Sequence, residues 1–191
     1  MNQIQGFFQK IVRSLRQQIT SRPAAADTNG STNRSRDPAM AWVIPQSLAV
    51  GRLPQSSDIP LLLGQNIQVI VSLCSPKEGS FPPALLTDFE QIQQTLPDQR
   101  HQQELTLDLL AAAVATVADH LERGQRVYVH CLAGLERSPT VCLAYLCRYK
   151  GLAVWEALQL LKQVYPASAP TADQLQVVQA YLRSANLSSL A

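Results

Sequence analysis

The chain has 191 residues, 46% of them hydrophobic and 16% charged, with four cysteines and a formal net charge of +2. That balance suits one globular domain with an appendage, and it excludes a disordered tail-like chain or a disulfide scaffold. Residues 1–40 hold six Lys/Arg against two Asp, a net +4, so the remainder is mildly acidic at −2, which argues against nucleic-acid binding.

Ile4, Phe7, Phe8, Ile11, Val12, Leu15 and Ile19 form one apolar stripe at helical spacing, with Lys10, Arg13 and Arg16 among the polar positions. Three readings of residues 1–20 stay open. The helix lies on an anionic membrane surface, or packs on the main domain or a partner, or is an organelle transit peptide. Residues 21–40 are polar and Pro-bearing and read as a flexible linker. Four cysteines in a chain of this length fit a reducing, cytoplasmic setting, and no secretory signal or bilayer-spanning run is visible.

The compact domain is expected over 41–184, followed by a tail at 185–191. Trp42–Ile44 and Ser47–Val50 flank Pro45-Gln46 and read as two short strands joined by a turn. Ser57-Asp58 caps a short helix over Ile59–Leu63 that stops at Gly64. The β-branched run Ile67–Cys74 is a buried strand. Pro82–Leu96 is ambiguous, and a short helix followed by a strand over Glu90–Leu96 fits it best. A polar loop at 97–105 leads to a helix over Thr106–Arg123, ended by Gly124. Val127–His130 is a buried strand. Helices follow over Ser138–Lys150, which stops at Gly151, and over Ala153–Val164. Thr171 and Gln174 form a capping-box pattern for a last helix over Ala172–Arg183. Alternating strands and helices give an α/β fold with a central, mainly parallel sheet flanked by helices.

Chemistry concentrates where the strand Val127–His130 meets the next helix. Cys131 ends the strand, five residues pass, and Arg137-Ser138 opens the helix. A loop of that length can turn its N–H groups toward one spot, backed by the positive end of a helix, which makes an anion site. Arg137 adds a planar fork for two oxygens of one phosphate, and the same field favours the thiolate of Cys131. A nucleophile and a phosphate cradle in one loop point to covalent phosphoryl transfer.

His130, Cys131, Gly134, Arg137 and Ser138 match the pattern His-Cys-x5-Arg-Ser/Thr, and with the strand–loop–helix context the chain resembles the cysteine-dependent protein tyrosine phosphatase superfamily, most closely its dual-specificity branch. A rhodanese-like sulfurtransferase also presents a cysteine in an anion-binding loop. The resemblance covers about residues 41–184 and implies a phosphomonoester hydrolase with a phosphocysteine intermediate, no metal or other cofactor, and a phosphorylated protein as substrate. A lipid, sugar or nucleotide phosphomonoester, or a non-catalytic phosphate-binding module, are the alternatives. It also implies a general acid on a loop before the cysteine. Asp98, 33 positions upstream, is the natural carry-over, with Glu104 and Asp108 as weaker candidates and Arg100 and His101 as further loop residues. Ser138 is expected to donate to the Cys131 sulfur, to cap the helix, or both. His130 is expected to fix the loop rather than act as a base, and Gly134 to allow the bend.

The substrate phosphate would sit against Leu132, Ala133, Gly134, Leu135, Glu136 and Arg137. No lysine occurs between Cys131 and Arg137, so a polyphosphorylated lipid headgroup fits less well than a phosphoprotein. Glu136 either points away from the anion or, pointing inward, opposes its binding. Some superfamily members trap an oxidised nucleophile with a second cysteine at the end of a neighbouring strand. Cys74 holds that place if its strand lies parallel and next to Val127–His130. Otherwise Cys74 is a small buried hydrophobe. Cys142 and Cys147 lie on the helix leading away from the loop and are poorer candidates.

Overall fold

The computed structural model describes residues 39–79, 85–98 and 104–188, together with Arg13, Ser14 and Gln17. Those three residues are helical and exposed, and the rest of the basic amphipathic stretch lies outside the described residues, as do Arg100 and His101.

Five strands form one sheet: β1 (Met40–Ile44), β2 (Leu48–Arg52), β3 (Val69–Ser72), β4 (Glu90–Gln93) and β5 (Val127–Cys131), in the order β1-β2-β5-β3-β4. β1 is antiparallel to β2, as a tight turn requires; the turn places Gln46 at φ 55, and the Ser47 N–H donates to the Ile44 carbonyl at 3.1 Å. Every other pairing is parallel. β5 therefore lies at the centre, with Cys131 opposite Arg52 on one side and His130 opposite Ser72 on the other. All five β5 residues are buried, which explains why this strand reads as a continuous apolar run rather than an alternating one.

The strand faces divide the core in two. Val127, Val129 and Cys131 face a large cluster built with α3 (Leu107–Glu122), α4 (Arg137–Lys150), α5 (Val154–Val164) and α6 (Ala172–Ser188). Tyr128 faces a smaller cluster with Ile70, Phe89 and Leu62, the last from α1 (Ile59–Gly64), close to the short α2 (Leu85–Asp88). Each fully buried Val or Leu in these layers contributes about 1.5–3 kcal/mol.

Local signals fix the helix ends. Thr106 is the N-cap of α3, its hydroxyl accepting from the Leu109 N–H at 3.3 Å. Gly124 and Gly151 follow α3 and α4 with φ of 76° and 67°. The capping box of α6 forms in both directions: the Thr171 N–H donates to Gln174 Oε1, and the Gln174 N–H to Thr171 Oγ1. Gln174 Oε1 also accepts from Thr140 Oγ1 at 3.1 Å, which ties α6 to the first turn of α4.

Four expectations change. Asp58 does not cap α1 through its side chain; its carboxylate instead takes the Arg52 guanidinium at 2.9 and 3.2 Å and the Gln55 N–H. β3 stops at Ser72, short of Cys74, and β4 stops at Gln93, short of Leu96. At their shared end the Gln94 and Leu96 N–H groups donate to the Ser72 and Leu73 carbonyls, and beyond them the Thr95 hydroxyl rather than the backbone reaches the Cys74 carbonyl. α6 continues to Ser188, so residues 185–188 extend the helix rather than start a tail. Among the described residues no helix is long and apolar enough to cross a membrane.

Candidate active site

The parallel strands β2, β5 and β3 deliver their carboxyl ends to one sheet edge, where the loop after Cys131 lies. This loop is held by its carbonyls. The Leu132 oxygen accepts from the Leu53 N–H at 3.2 Å and the Leu135 oxygen from the Ala169 N–H at 2.6 Å. The Glu136 oxygen takes the Thr140 N–H at 3.0 Å and its hydroxyl at 2.7 Å. No described residue accepts a hydrogen bond from the N–H groups of Ala133 to Arg137. Anchored carbonyls and unclaimed amides at a helix N-terminus make a donor ring for an anion. Gly134 is required at its place twice over: its φ is 75°, and a Cβ there would lie 2.4 Å from Tyr165 Oη and 2.9 Å from the Arg52 nitrogen.

Cys131, Ala133, Leu135, Glu136, Arg137 and Asp98 line one cleft. Cys131 is 3% exposed, at its floor. The Ser138 hydroxyl lies 3.4 Å from the Cys131 sulfur and 3.0 Å from the Gly51 carbonyl oxygen. It has one proton for two acceptors, so charge on the sulfur would draw the hydroxyl hydrogen toward it. Ser138 makes no cap: it is the second residue of α4, and the N-cap position belongs to Glu136. Leu132 is half-buried and contributes its carbonyl to the anchor.

Arg137 is buried and held from several sides. Nη1 donates to the carbonyls of Leu73 at 3.3 Å and Leu96 at 3.2 Å. The guanidinium also forks onto Glu78, at 3.1 and 2.5 Å, and Nη2 reaches Asp98 Oδ2 at 3.3 Å. Burial is the largest influence on Arg137 and disfavours its charge, but the Glu78 hydrogen bonds and the nearby thiols outweigh it and raise its pKa. Glu78 is shifted the other way, held below the usual carboxylate range chiefly by its hydrogen bond to Arg137. The Ser75 N–H, donating to Glu78 Oε2 at 2.7 Å, fixes that carboxylate in turn.

Glu78 escaped the sequence reading. The available signal was its place just after β3, at the carboxyl edge that also carries Cys131. Asp98 does reach the site. Glu104 instead lines a separate cleft with Thr95, Pro97 and Leu109, and Asp108 is an exposed first-turn charge on α3.

His130 is fully buried beneath the loop, with Nδ1 3.3 Å from the Cys131 carbonyl oxygen. Burial, reinforced by Arg137, pushes its pKa down to about 4, so the ring is neutral at pH 7. That supports a loop-fixing role. Cys74 is buried just beyond β3, and burial pushes its thiol up to about 12. Cys147 is pushed up to about 12 and Cys142 higher still, again by burial. All four cysteines are free. Among the described residues no three His, Cys, Asp or Glu side chains are grouped to hold a metal ion.

Comparison with known proteins places this geometry. Residues 51–184 match the family model "Dual specificity phosphatase, catalytic domain". The chain is 27% identical over 140 residues to the phosphatidylglycerophosphate phosphatase PTPMT2 of Arabidopsis thaliana, covering 73% of this chain and 61% of that relative. It is 28% identical over 154 residues to the Arabidopsis thaliana dual specificity protein phosphatase 1, covering 80% of this chain and 74% of the relative. Among solved structures, a mouse putative dual specificity phosphatase complexed with zinc tungstate superposes with a TM-score of 0.69 at 23% identity, over 84% of this chain and 97% of that one. PTPMT1 in complex with PI(5)P superposes with a TM-score of 0.66 at 22% identity, over 75% and 95%. With the matched region spanning the cleft, the loop after Cys131 and the helices behind it, the chain belongs to the dual-specificity phosphatase family.

Proposed function

We propose that the chain is a cysteine-dependent phosphatase that removes phosphate from tyrosine, serine and threonine side chains of proteins through a phosphocysteine intermediate. The observation that carries this reading is one cleft holding Cys131, Arg137 and Asp98, with the Ser138 hydroxyl at 3.4 Å from the sulfur.

The phosphate dianion would take the loop amides and replace Asp98 on Arg137, which Glu78 continues to hold in place. The Cys131 thiolate then attacks phosphorus, forming the S–P bond as the bond to the leaving oxygen breaks. That oxygen takes the proton of Asp98. Negative charge brought in by the phosphate favours the protonated carboxyl that this step needs. In the second step Asp98 accepts a proton from water, the water oxygen bonds to phosphorus, and the S–P bond breaks. The Ser138 hydroxyl turns from Gly51 to the departing thiolate.

A second reading has support: the relative named above is a phosphatidylglycerophosphate phosphatase, so a lipid phosphomonoester is its substrate class. An acidic residue in the cleft wall, and no lysine among its described lining residues, favour a protein substrate over a polyanionic headgroup. The test is a panel of phosphopeptides, phosphoinositides, phosphatidylglycerophosphate, nucleotides and sugar phosphates, run on wild type, Cys131→Ser and Asp98→Asn. Cys131→Ser should abolish turnover. Asp98→Asn should lose roughly 10²–10⁴-fold on poor leaving groups and less on activated ones. Turnover by purified Cys131→Ser ends the covalent mechanism. If Glu136→Gln rather than Asp98→Asn shows the leaving-group profile, the acid is Glu136.

A further inference from the structure

Glu136 is an unusual wall for a phosphate site. It lines the cleft beside Cys131 and Arg137, and it is half-buried. It stands at the N-cap of α4, where a carboxylate could cap the helix, yet its side chain makes no capping hydrogen bond. Only its backbone oxygen is used, by Thr140. No described residue pairs with its carboxylate through a hydrogen bond or ion pair. The carboxylate therefore serves neither the fold nor the anchoring of the loop.

The charge around it sharpens the point. Arg137 is the one basic side chain lining this cleft among the described residues, and it already faces Glu78 and Asp98. Arg52, at the neighbouring strand end, is taken by Asp58 at 2.9 Å. Lys77 lines the adjoining cleft rather than this one. A phosphate entering here is gripped by amides and Arg137, but the rest of the substrate meets an unanswered negative charge. A substrate with further negative charge is repelled, and one with a cation beside the phosphate is held.

We propose that Glu136 is a specificity-determining residue that selects phosphorylated protein segments carrying Lys or Arg next to the phosphorylated residue. The exposed Leu135 beside it offers the aliphatic stem of such a side chain an apolar surface. The segment as occupant rests on the phosphoprotein reading above; the charge preference itself does not.

Phosphotyrosyl peptides identical except for flanking Arg, Gln or Glu would be compared on wild type, Glu136→Gln and Glu136→Lys. Alongside them run two aryl phosphates with the same leaving-group chemistry, one bearing a trimethylammonium and one a sulfonate. Wild type should favour the Arg-flanked over the Glu-flanked peptide by about 3–10-fold in kcat/KM, mainly through KM. Salt at ~0.5 M should shrink the ratio. Glu136→Gln should bring the ratio close to one, and Glu136→Lys should invert it. The aryl pair should follow the same order. An equal ratio in wild type and Glu136→Gln, on peptides or on the aryl pair, overturns the proposal. If no peptide is hydrolysed while the aryl pair is, the phosphoprotein reading falls, and the aryl ratio alone decides the role of Glu136.

Discussion

His130 gives the sharpest pH prediction. Its ring is fully buried under the loop after Cys131, and burial first, then the charge of Arg137, lower its pKa from 6.5 to about 4. The hydrogen bond with the Cys131 carbonyl works in the opposite direction without prevailing. Between those two values the unfolded chain binds a proton that the folded chain does not. Stability should therefore be intact above pH 6.5, fall as pH drops toward 4, and stop falling on this account below it. At about 1.4 kcal/mol per pKa unit, the whole window is worth roughly 3 kcal/mol, most of it lost by about pH 4.5. Urea unfolding at several pH values across that window would measure it, on wild type and on His130→Asn. The asparagine keeps a polar group near Nδ1 but cannot take up a proton. Its unfolding free energy should be lower at pH 7 and much flatter across the window. Equal slopes in the two proteins would refute the neutral, buried histidine.

Four further outcomes are expected, three at the site and one at the N-terminal stretch. Glu78→Gln keeps an acceptor for the Ser75 N–H but loses the charged fork on Arg137, so kcat/KM should fall roughly 10–100-fold, as expected when hydrogen bonds to a charged group worth about 1.5–3 kcal/mol are lost; unchanged kinetics would remove Glu78 from the site. Because Glu78 is held below the ordinary carboxylate range, its contribution to stability should persist above pH 4.5 and fade as pH drops beneath it, a window that opens where that of His130 is closing. We propose that Cys74 resolves oxidised Cys131: peroxide should give a Cys74–Cys131 cross-link that dithiols reverse, and peptide mapping that finds sulfinic Cys131 with Cys74 free would end the idea. Continued past its last pair, Ser72 with His130, the register would set Leu73 rather than Cys74 level with Cys131, so this bridge is expected to need a shift of the strand end. We also propose that the basic amphipathic stretch binds anionic membranes: removing residues 1–37 should abolish co-sedimentation with anionic liposomes and spare soluble-substrate activity, and equal binding by both proteins would reject it. The cut belongs before Ala39, whose carbonyl accepts from Tyr128 Oη at 2.8 Å and from the Arg52 N–H.

The sequence by itself determined what depends on neighbours along the chain. Gly124 and Gly151 end their helices because the following backbone must turn left-handed, and Thr171 with Gln174 closes its box within four residues. Cys131, Arg137 and Ser138 were legible for the same reason, since a strand, five residues and a helix N-terminus bring them together whatever the rest does. The ends of β3 and β4 were not, because a strand ends where its partner leaves it, and the partner is remote in sequence. Only the tertiary structure could bring Glu78, 59 positions away, onto Arg137 and separate Asp98 from Glu104, since both facts depend on how loops from different strands meet at one sheet edge. The place of Glu136 was also undecidable from its neighbours: a residue at a helix N-cap can fold back onto the helix or line the cleft, and that cleft is built by the loop after β5 together with Asp98 from beyond β4.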